Sequence, residues 1–369
     1  MTSYWLDAPF EPFVRHRLDG PVDVAVVGGG VTGCAAALVA ARGGLRVRLH
    51  EGRQISSGAS GRSGGFALRG GAMLYDVARR QLGAERAKQY WQLTERALDH
   101  LEELAGDALR RDGSLRVAVD EAEREELEQE YAALREDGFA AELVDGPLLG
   151  GIRHPTDGSL RPARWVHRLA ALAADAGADL REQSRVESLD ELDAEHVVIA
   201  TDGYTQGLVP RLDEVIVPVR GQVIATEPLS RRLFDCPHYA RHGFDYWQQT
   251  DDNRLILGGR RDTQSDHELT AEETITAPIQ RELETFAAEL IGEPPTITHR
   301  WAGIFGQTPD LMPLAGRVPG HDGVWVAAGY SGHGNVLGLA CGELVAQAIL
   351  GRPAPELELF DPSRLQAPA

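Results

Sequence analysis

The residues near the start of the chain whose types and spacing can do chemistry are glycines. Gly28, Gly30 and Gly33 follow the apolar run Val22 to Val27 in the order Gly28-Gly29-Gly30-Val31-Thr32-Gly33. The first glycine permits a tight turn, the second lets backbone N–H groups approach a pyrophosphate, and the third lets the following helix lie close to its strand. Glu51 comes about 20 residues later, where a carboxylate can hold ribose hydroxyls. The chemistry indicated is capture of a dinucleotide, with the positive end of the helix aimed at its phosphates. A glycine-rich turn in a nucleotide-free α/β protein is the alternative, and the order strand, helix, strand, acid argues against it.

A second group suits the wrapping of a polar ligand. Ser56-Ser57-Gly58-Ala59-Ser60-Gly61-Arg62-Ser63-Gly64-Gly65-Phe66 is too rich in Gly and Ser to form a core. Its backbone donors and hydroxyls can close around a ligand, because glycine permits positive φ and close approach. Standing alone, such a segment reads as a flexible surface loop. A third group lies late in the chain: Thr308-Pro309-Asp310-Leu311-Met312-Pro313, then Gly329-Tyr330-Ser331-Gly332-His333-Gly334. The latter leads from an apolar strand, Val324 to Ala328, into a helix from Val336 to Leu350 that Asn335 can cap. N–H groups at that helix start stabilise an anion. His333 is either hydrogen-bonded to structure or meets a ligand. Thr308 to Asp310 form either a loop facing the site or a proline-set surface turn.

The elements that must position these groups follow from periodicity. Val22 to Val27 reads as a central parallel strand, Val31 to Arg42 as the helix it feeds, and Leu45 to His50 as the second strand. Helical patterns fill Ala78 to Leu109, including a polar-faced stretch from Ala84 to Leu104, and Glu121 to Asp137, with a strand from Ser114 to Val119 between them. Arg161 to Ala176 is a helix with Pro162 near its start and Gly177 as its stop. Arg185 to Leu189 and Val197 to Ala200 read as strands returning to the first sheet. Strand patterns dominate from Val215 to Gly259, Thr270 to Ile291 is helical, and Thr296 to Gly303 is extended. There is no internal repeat and no long linker.

Composition bounds the partners. At 369 residues the chain can bury a large core, and its length predicts about two domains. A net charge of −19 argues against nucleic acid, which needs clustered Lys and Arg. Cys34, Cys236 and Cys341 show no Cys-x-x-Cys spacing, so disulfide redox catalysis and a cysteine-rich metal site are not expected, and no metal ligands are proposed. Lys88 is the only lysine and reads as a solvated surface charge, which nearly excludes Schiff-base chemistry on lysine. Met1 to Gly20 carries Asp7, Glu11, Arg15, Arg17 and Asp19 without an apolar stretch long enough for a signal peptide or a membrane span, so a cytoplasmic location is expected.

Taken together, the fingerprint, the Gly-Ala-Ser-Gly-Arg-Ser-Gly-Gly segment and the two late motifs resemble FAD-dependent amine oxidoreductases of the D-amino-acid oxidase superfamily. The likeness is to the branch of glycine oxidase, sarcosine oxidase and γ-glutamylputrescine oxidase. Pro218-Val219-Arg220-Gly221-Gln222 resembles the family's entry into its substrate sheet, and Val197-Val198-Ile199-Ala200-Thr201-Asp202-Gly203 its late strand beside the adenine half of FAD. The resemblance implies an α/β fold: a Rossmann-like, glutathione-reductase-like FAD-binding domain interleaved with a mixed-sheet α+β substrate domain. The first would take residues 1–83, 146–217 and 312–369, the second 84–145 and 218–311. It implies FAD contacts at Gly28, Gly30, Val31, Thr32, Gly33 and Glu51, and from the loop at Gly58, Ala59, Ser60, Arg62, Ser63, Gly64, Gly65 and Phe66. Val186, Thr201, Gly203 and Gly303 follow, then Gly329, Tyr330, Gly332, His333, Gly334, Asn335 and Val336.

Departures from the family narrow the reading. The cysteine that carries flavin in the sarcosine oxidase pattern is absent near Ile304 and Phe305, so FAD is expected to be non-covalent. A lysine is replaced by Val336, and the arginine that glycine-oxidase-like proteins often place near Phe305 is missing, so carboxylate-binding charge is lost. Arg69 matches an arginine that binds substrate carboxylate in the sarcosine oxidase branch, and a structural ion pair is its other reading. Tyr246, Trp247 and Tyr330 could wall an aromatic pocket or simply be core.

The reaction implied is hydride removal from the carbon bearing an amine or amino-acid nitrogen, delivered to flavin N5, with hydrolysis of the resulting imine. His333, Tyr246 and Arg69 are the candidate catalytic residues. Ile256 stands where sarcosine-oxidase-like enzymes use a lysine to promote reaction with oxygen, so oxygen and another electron acceptor both remain open. A 2-hydroxy-acid dehydrogenase could use His333 as base. A nicotinamide-dependent reductase, with Arg53 near a ribose phosphate, is the alternative of a different class.

Overall fold

The computed structural model describes residues 2–7, 10–13, 17–146 and 148–365; Met1 and Arg15, included in the expectation for the first twenty residues, lie outside these. Val22–Val27 is apolar at all positions but Asp23 and is buried on both faces, which suits the interior of a sheet. It pairs in parallel with Ala194–Ile199 on one side and Val47–His50 on the other. Val324–Ala328 extends that sheet, Asp179–Arg181 forms one edge, and Leu314–Arg317 adds an antiparallel strand at the other.

The helix Val31–Arg42 follows the first strand and is buried on nearly every side, by the sheet, by Pro162–Asp175 and by the closing helix Gly334–Ile349. Its Ala, Val, Leu and Cys residues fit that position, since a helix covered all round needs no polar face. Two glycines of the closing helix allow the contact. A Cβ at Gly342 would stand 2.4 Å from the Thr32 carbonyl oxygen, and one at Gly338 would stand 2.7 Å from the Thr32 hydroxyl.

The second sheet has eight strands: Ile297–Gln307, Val217–Pro228, Arg254–Gly259, Asp245–Gln249, His238–Ala240, Ser114–Val117, Gly151–His154 and Glu142–Val144, in spatial order. Neighbours are antiparallel except His238–Ala240 with Ser114–Val117. The helix Ala277–Ile291 covers one face, packing Ile279, Leu283 and Phe286 on Ile224, Trp247 and Leu257. Each such side chain contributes about 1.5–3 kcal/mol when fully buried. A small antiparallel sheet, Phe66–Ala67, Gly158–Leu160 and Leu109–Arg110, ties the end of the Gly/Ser loop to the body.

Several expected elements are corrected. The helical pattern from Ala78 is two helices, Tyr75–Leu82 and Ala84–Ala105, broken at Gly83, whose φ of 86° no right-handed helix accommodates. No strand forms at Arg185 to Leu189; Arg185 and Glu187 pair with each other at the surface, and Asp179–Arg181 takes the sheet edge instead. The expected helix from Thr270 begins at Ala277, after an irregular segment ending in Ile275 and Thr276. The second sheet keeps the chain through His154, past the division expected at 145. Among the described residues no helix is long and apolar enough to cross a membrane.

Candidate active site

Where the first sheet, the Gly/Ser loop, the closing helix and the second sheet meet, they enclose a cavity of about 610 Å³. Gly30, Val31 and Thr32 bring the start of the fingerprint helix to it. Gly28 has φ 112° and a Cβ there would lie 2.5 Å from the Ala200 carbonyl oxygen; a Cβ at Gly33 would lie 1.9 Å from that of Gly28. These two glycines shape the turn, while Gly30 faces the cavity with only the Ser60 hydroxyl close by. Ser60 Oγ accepts the Val31 N–H at 3.1 Å. Glu51 holds its own loop, accepting from the Gly29 N–H at 2.8 Å and the Arg53 N–H at 2.7 Å. Burial pushes its carboxyl up against the pull of those donors.

The Gly/Ser loop is fixed rather than free. The Trp5 and Trp301 indoles donate to the Ser63 and Arg62 carbonyls, each at 2.9 Å, and Gln248 Nε2 donates to those of Gly64 and Gly65 at 2.6 and 2.7 Å. Each bond takes up a carbonyl that a buried loop would otherwise leave unsatisfied. Arg62 spans the loop, donating to the Ser57 and Ala302 carbonyls, and pairs with Glu273 at 3.4 Å. Ala59, Ser60, Arg62, Ser63, Gly64 and Phe66 line the cavity; Gly58 and Gly65 do not. Gly65, at φ 79°, instead lies against Gln248 and Leu160.

The late turn brings Tyr330, Gly332, His333, Gly334, Asn335 and Val336 to the cavity, so the positive end of the closing helix faces it. Asn335 lies inside the first turn and does not cap the helix. Its side chain donates to the Phe66 carbonyl at 2.7 Å, and His333 occupies the cap position without a side-chain cap bond. Asp202 pulls this turn against the second sheet by accepting the Gly329 N–H at 2.8 Å and the Gly306 N–H at 2.9 Å. Tyr330 is buried, its hydroxyl 2.9 Å from that of Thr32. His333 Nδ1 is buried without a partner among the described residues. Burial, helped by the nearby Arg116 charge, pushes this imidazole down to about 4, so it is neutral near pH 7.

The second sheet supplies the facing wall. Tyr246 lies between Gly64 and Gly258, where a Cβ would come within 2.8 and 2.4 Å of its ring. Burial pushes its hydroxyl up to about 12, so it stays protonated. Arg116, Tyr239, Phe244, Arg261 and Phe305 complete this wall. Arg116 pairs with Glu130 at 2.9 Å and lies 4.5 Å from the Tyr239 ring centre.

Other sequence candidates lie elsewhere. Arg69 does not line the cavity: it pairs with Glu95 at 2.8 Å and donates to the Ala140 carbonyl at 2.8 Å and to His154 Nδ1 at 3.2 Å. The ion-pair reading of Arg69 therefore replaces the carboxylate-binding one. Trp247 is core, stacked on His238 beneath Ala277–Ile291. Val186 packs beside Val22 and Val27, Thr201 meets the Thr205 hydroxyl at 2.9 Å, and Gly203 abuts the Phe305 backbone, whereas Gly303 reaches the cavity beside Arg62. Arg53 is engaged by Glu273 at 2.8 and 3.0 Å. Trp5, Asp202, Gln248, Arg116 and Arg261 were missed. Only Asp202, inside the late-strand motif, carries a local signal.

The donors fit FAD: a helix start beside Gly30 for phosphates, a loop lined with hydroxyls, and a second helix start for an anionic ring edge. Comparison with known proteins agrees. Residues 23–348 match the family model DAO, described as FAD dependent oxidoreductase. The chain is 29% identical to the probable oxidoreductase OrdL of Haemophilus influenzae, over 95% of this chain and 88% of that one. It is 28% identical to the gamma-glutamylputrescine oxidoreductase of Escherichia coli, over 95% and 88%. The crystal structure of glycine oxidase from Geobacillus kaustophilus superposes with a TM-score of 0.78 at 26% identity, over 94% of this chain and 99% of that one.

Proposed function

The chain belongs to the DAO family of FAD-dependent oxidoreductases, and from that premise we propose that it oxidises a C–N bond of a small amine or amino acid to an imine, which water hydrolyses. Relatives named for γ-glutamylputrescine and for glycine support this substrate class. FAD supplies the chemistry, accepting the hydride at N5 when bound. The observation that carries the reading is the convergence of the His333 turn and the Tyr246 wall on one cavity beside the pinned loop. His333 is neutral and can accept a hydrogen bond at Nδ1, Tyr246 can donate one, and Ile304, Phe305 and Val336 keep water from the walls. No strong base is required once the substrate amine is neutral.

We assign the six-stranded sheet with its helices to the cofactor and the eight-stranded sheet to the substrate. None of the three cysteines lines the cavity, which supports non-covalent FAD, and all three are unpaired, which supports a reducing compartment such as the cytoplasm. The test is anaerobic bleaching of the flavin by amines, amino acids and 2-hydroxy acids, followed by reoxidation with oxygen or with a quinone dye. Bleaching by an amine or amino acid is expected. Bleaching by hydroxy acids alone would establish the second reading, which the unpartnered His333 Nδ1 favours as a site for a hydroxyl proton.

A further inference from the structure

The substrate-side wall holds a guanidinium that no carboxylate grips directly. Arg261 follows the strand Arg254–Gly259, lines the cavity, and forms no ion pair with a carboxylate among the described residues. Its Nη1 donates to the Gly243 carbonyl at 3.2 Å. The guanidinium lies 4.2 Å from the Phe244 ring centre and 5.6 Å from that of Phe305, so rings orient it without neutralising it. Its own surface is half-buried because it faces the cavity, yet burial still lowers its pKa. Its neighbours differ. Arg260 pairs with Asp245 at 3.1 Å, and Arg116 is matched by Glu130.

We propose that Arg261 seats a carboxylate of the substrate, making the oxidised compound an amino acid or N-substituted amino acid rather than a simple amine. This rests on the reading of the site as one that oxidises amines. A planar fork suits a carboxylate, which accepts two parallel N–H bonds from it. The protonated Tyr246 hydroxyl, from the neighbouring strand, is a further donor on the same wall. Arg261 also stands near enough to His333 for its charge to depress that imidazole, so the carboxylate seat and the His333 turn belong to one chamber. Asp245 and Asp262 are the acids whose charges reach Arg261, and Asp245 is already shared by Arg241 and Arg260. The charge-binding role lost near Phe305 is thereby met from a different strand.

The experiment follows flavin reduction of the holoenzyme without oxygen, using matched pairs: glycine and methylamine, sarcosine and dimethylamine, proline and pyrrolidine. Wild type should prefer the acid of a pair. Arg261→Met should reduce that preference by about 100-fold through KM, and Arg261→Lys by less. Benzoate, which cannot be oxidised, gives a readout without turnover: it should perturb the flavin spectrum, and its affinity should fall similarly in Arg261→Met with FAD content retained. Equal use of both partners by wild type, or unchanged preference and benzoate affinity in Arg261→Met, would overturn the proposal. If Arg261→Met does not fold, Arg261→Lys and Arg261→Gln carry the same comparison. Reduction by lactate with none by any amine would defeat the amine reading while leaving the benzoate result to judge Arg261.

Discussion

Replacing Arg69 by alanine should lower stability by about 3 kcal/mol, because it leaves the Ala140 carbonyl, His154 and Glu95 without their shared donor in a buried setting. Urea unfolding measures the loss, and flavin reduction by the amino acid and the amine of a pair should change equally; a loss confined to the acid would restore a substrate role. Cys34 and Cys341 are fully buried and their thiols are pushed far up by burial, while burial pushes half-buried Cys236 up to about 11. The native protein should therefore react with Ellman's reagent only slowly, and only at Cys236, whereas the denatured chain should titrate three thiols and release free FAD. Flavin left attached to the polypeptide would contradict this. At this scale the glycines were legible because turn geometry is a local property. Arg69 and Arg261 were not. Which arginine meets a cavity and which meets Glu95 is decided by chain segments far away in sequence.

The two helices that meet at Gly342 make a sharper test of packing. Gly342→Ala would place a methyl 2.4 Å from the Thr32 carbonyl, in backbone that has nowhere to move between sheet and helix. A loss of about 1–3 kcal/mol is expected, with weaker FAD binding because the cavity-facing start of the fingerprint helix shifts too. Thermal melts with and without added FAD separate the two effects. Gly30→Asp acts on the same helix start electrostatically: a carboxylate beside Ser60 would oppose phosphates, and the purified variant should lack FAD. Elements with strong periodicity were readable, as at Val22–Val27, Glu121–Glu136 and the closing helix. Reading failed where long-range context set the outcome. The pattern around Gly83 stays helical on both sides of a break, and Arg185 to Leu189 has strand-like residues although Asp179–Arg181 is the segment that pairs with Val47–His50.

Acid should destabilise the whole molecule. His50 and His167 are pushed down to about 4, first by burial, and His154 and His238 are lowered by burial as well; with His333 they stay neutral when folded. Folded values below the unfolded one mean that the stability these groups contribute is present above pH 6.5 and is lost as pH falls from there towards 4. Asp157 works the other way: burial pushes it up to about 6, so acid relieves its buried charge. Burial raises Glu51, Asp202 and Asp245 in the same sense, without reaching the span of the histidine shifts to about 4. Five histidines against these four carboxylates predict a melting temperature that falls between pH 6.5 and 4.5, and a flat profile would contradict the assignment. The interleaving of two sheets was legible only through family resemblance, since periodicity orders elements without pairing them. That interleaving also sets a timetable. The fingerprint helix is made early, but the helix that covers it and the turn that faces the ligand come only at Gly329 to Ile349. A ribosome must therefore pass Ile349 before the pocket has its walls, and a chain stopped short of Gly329 should not retain flavin.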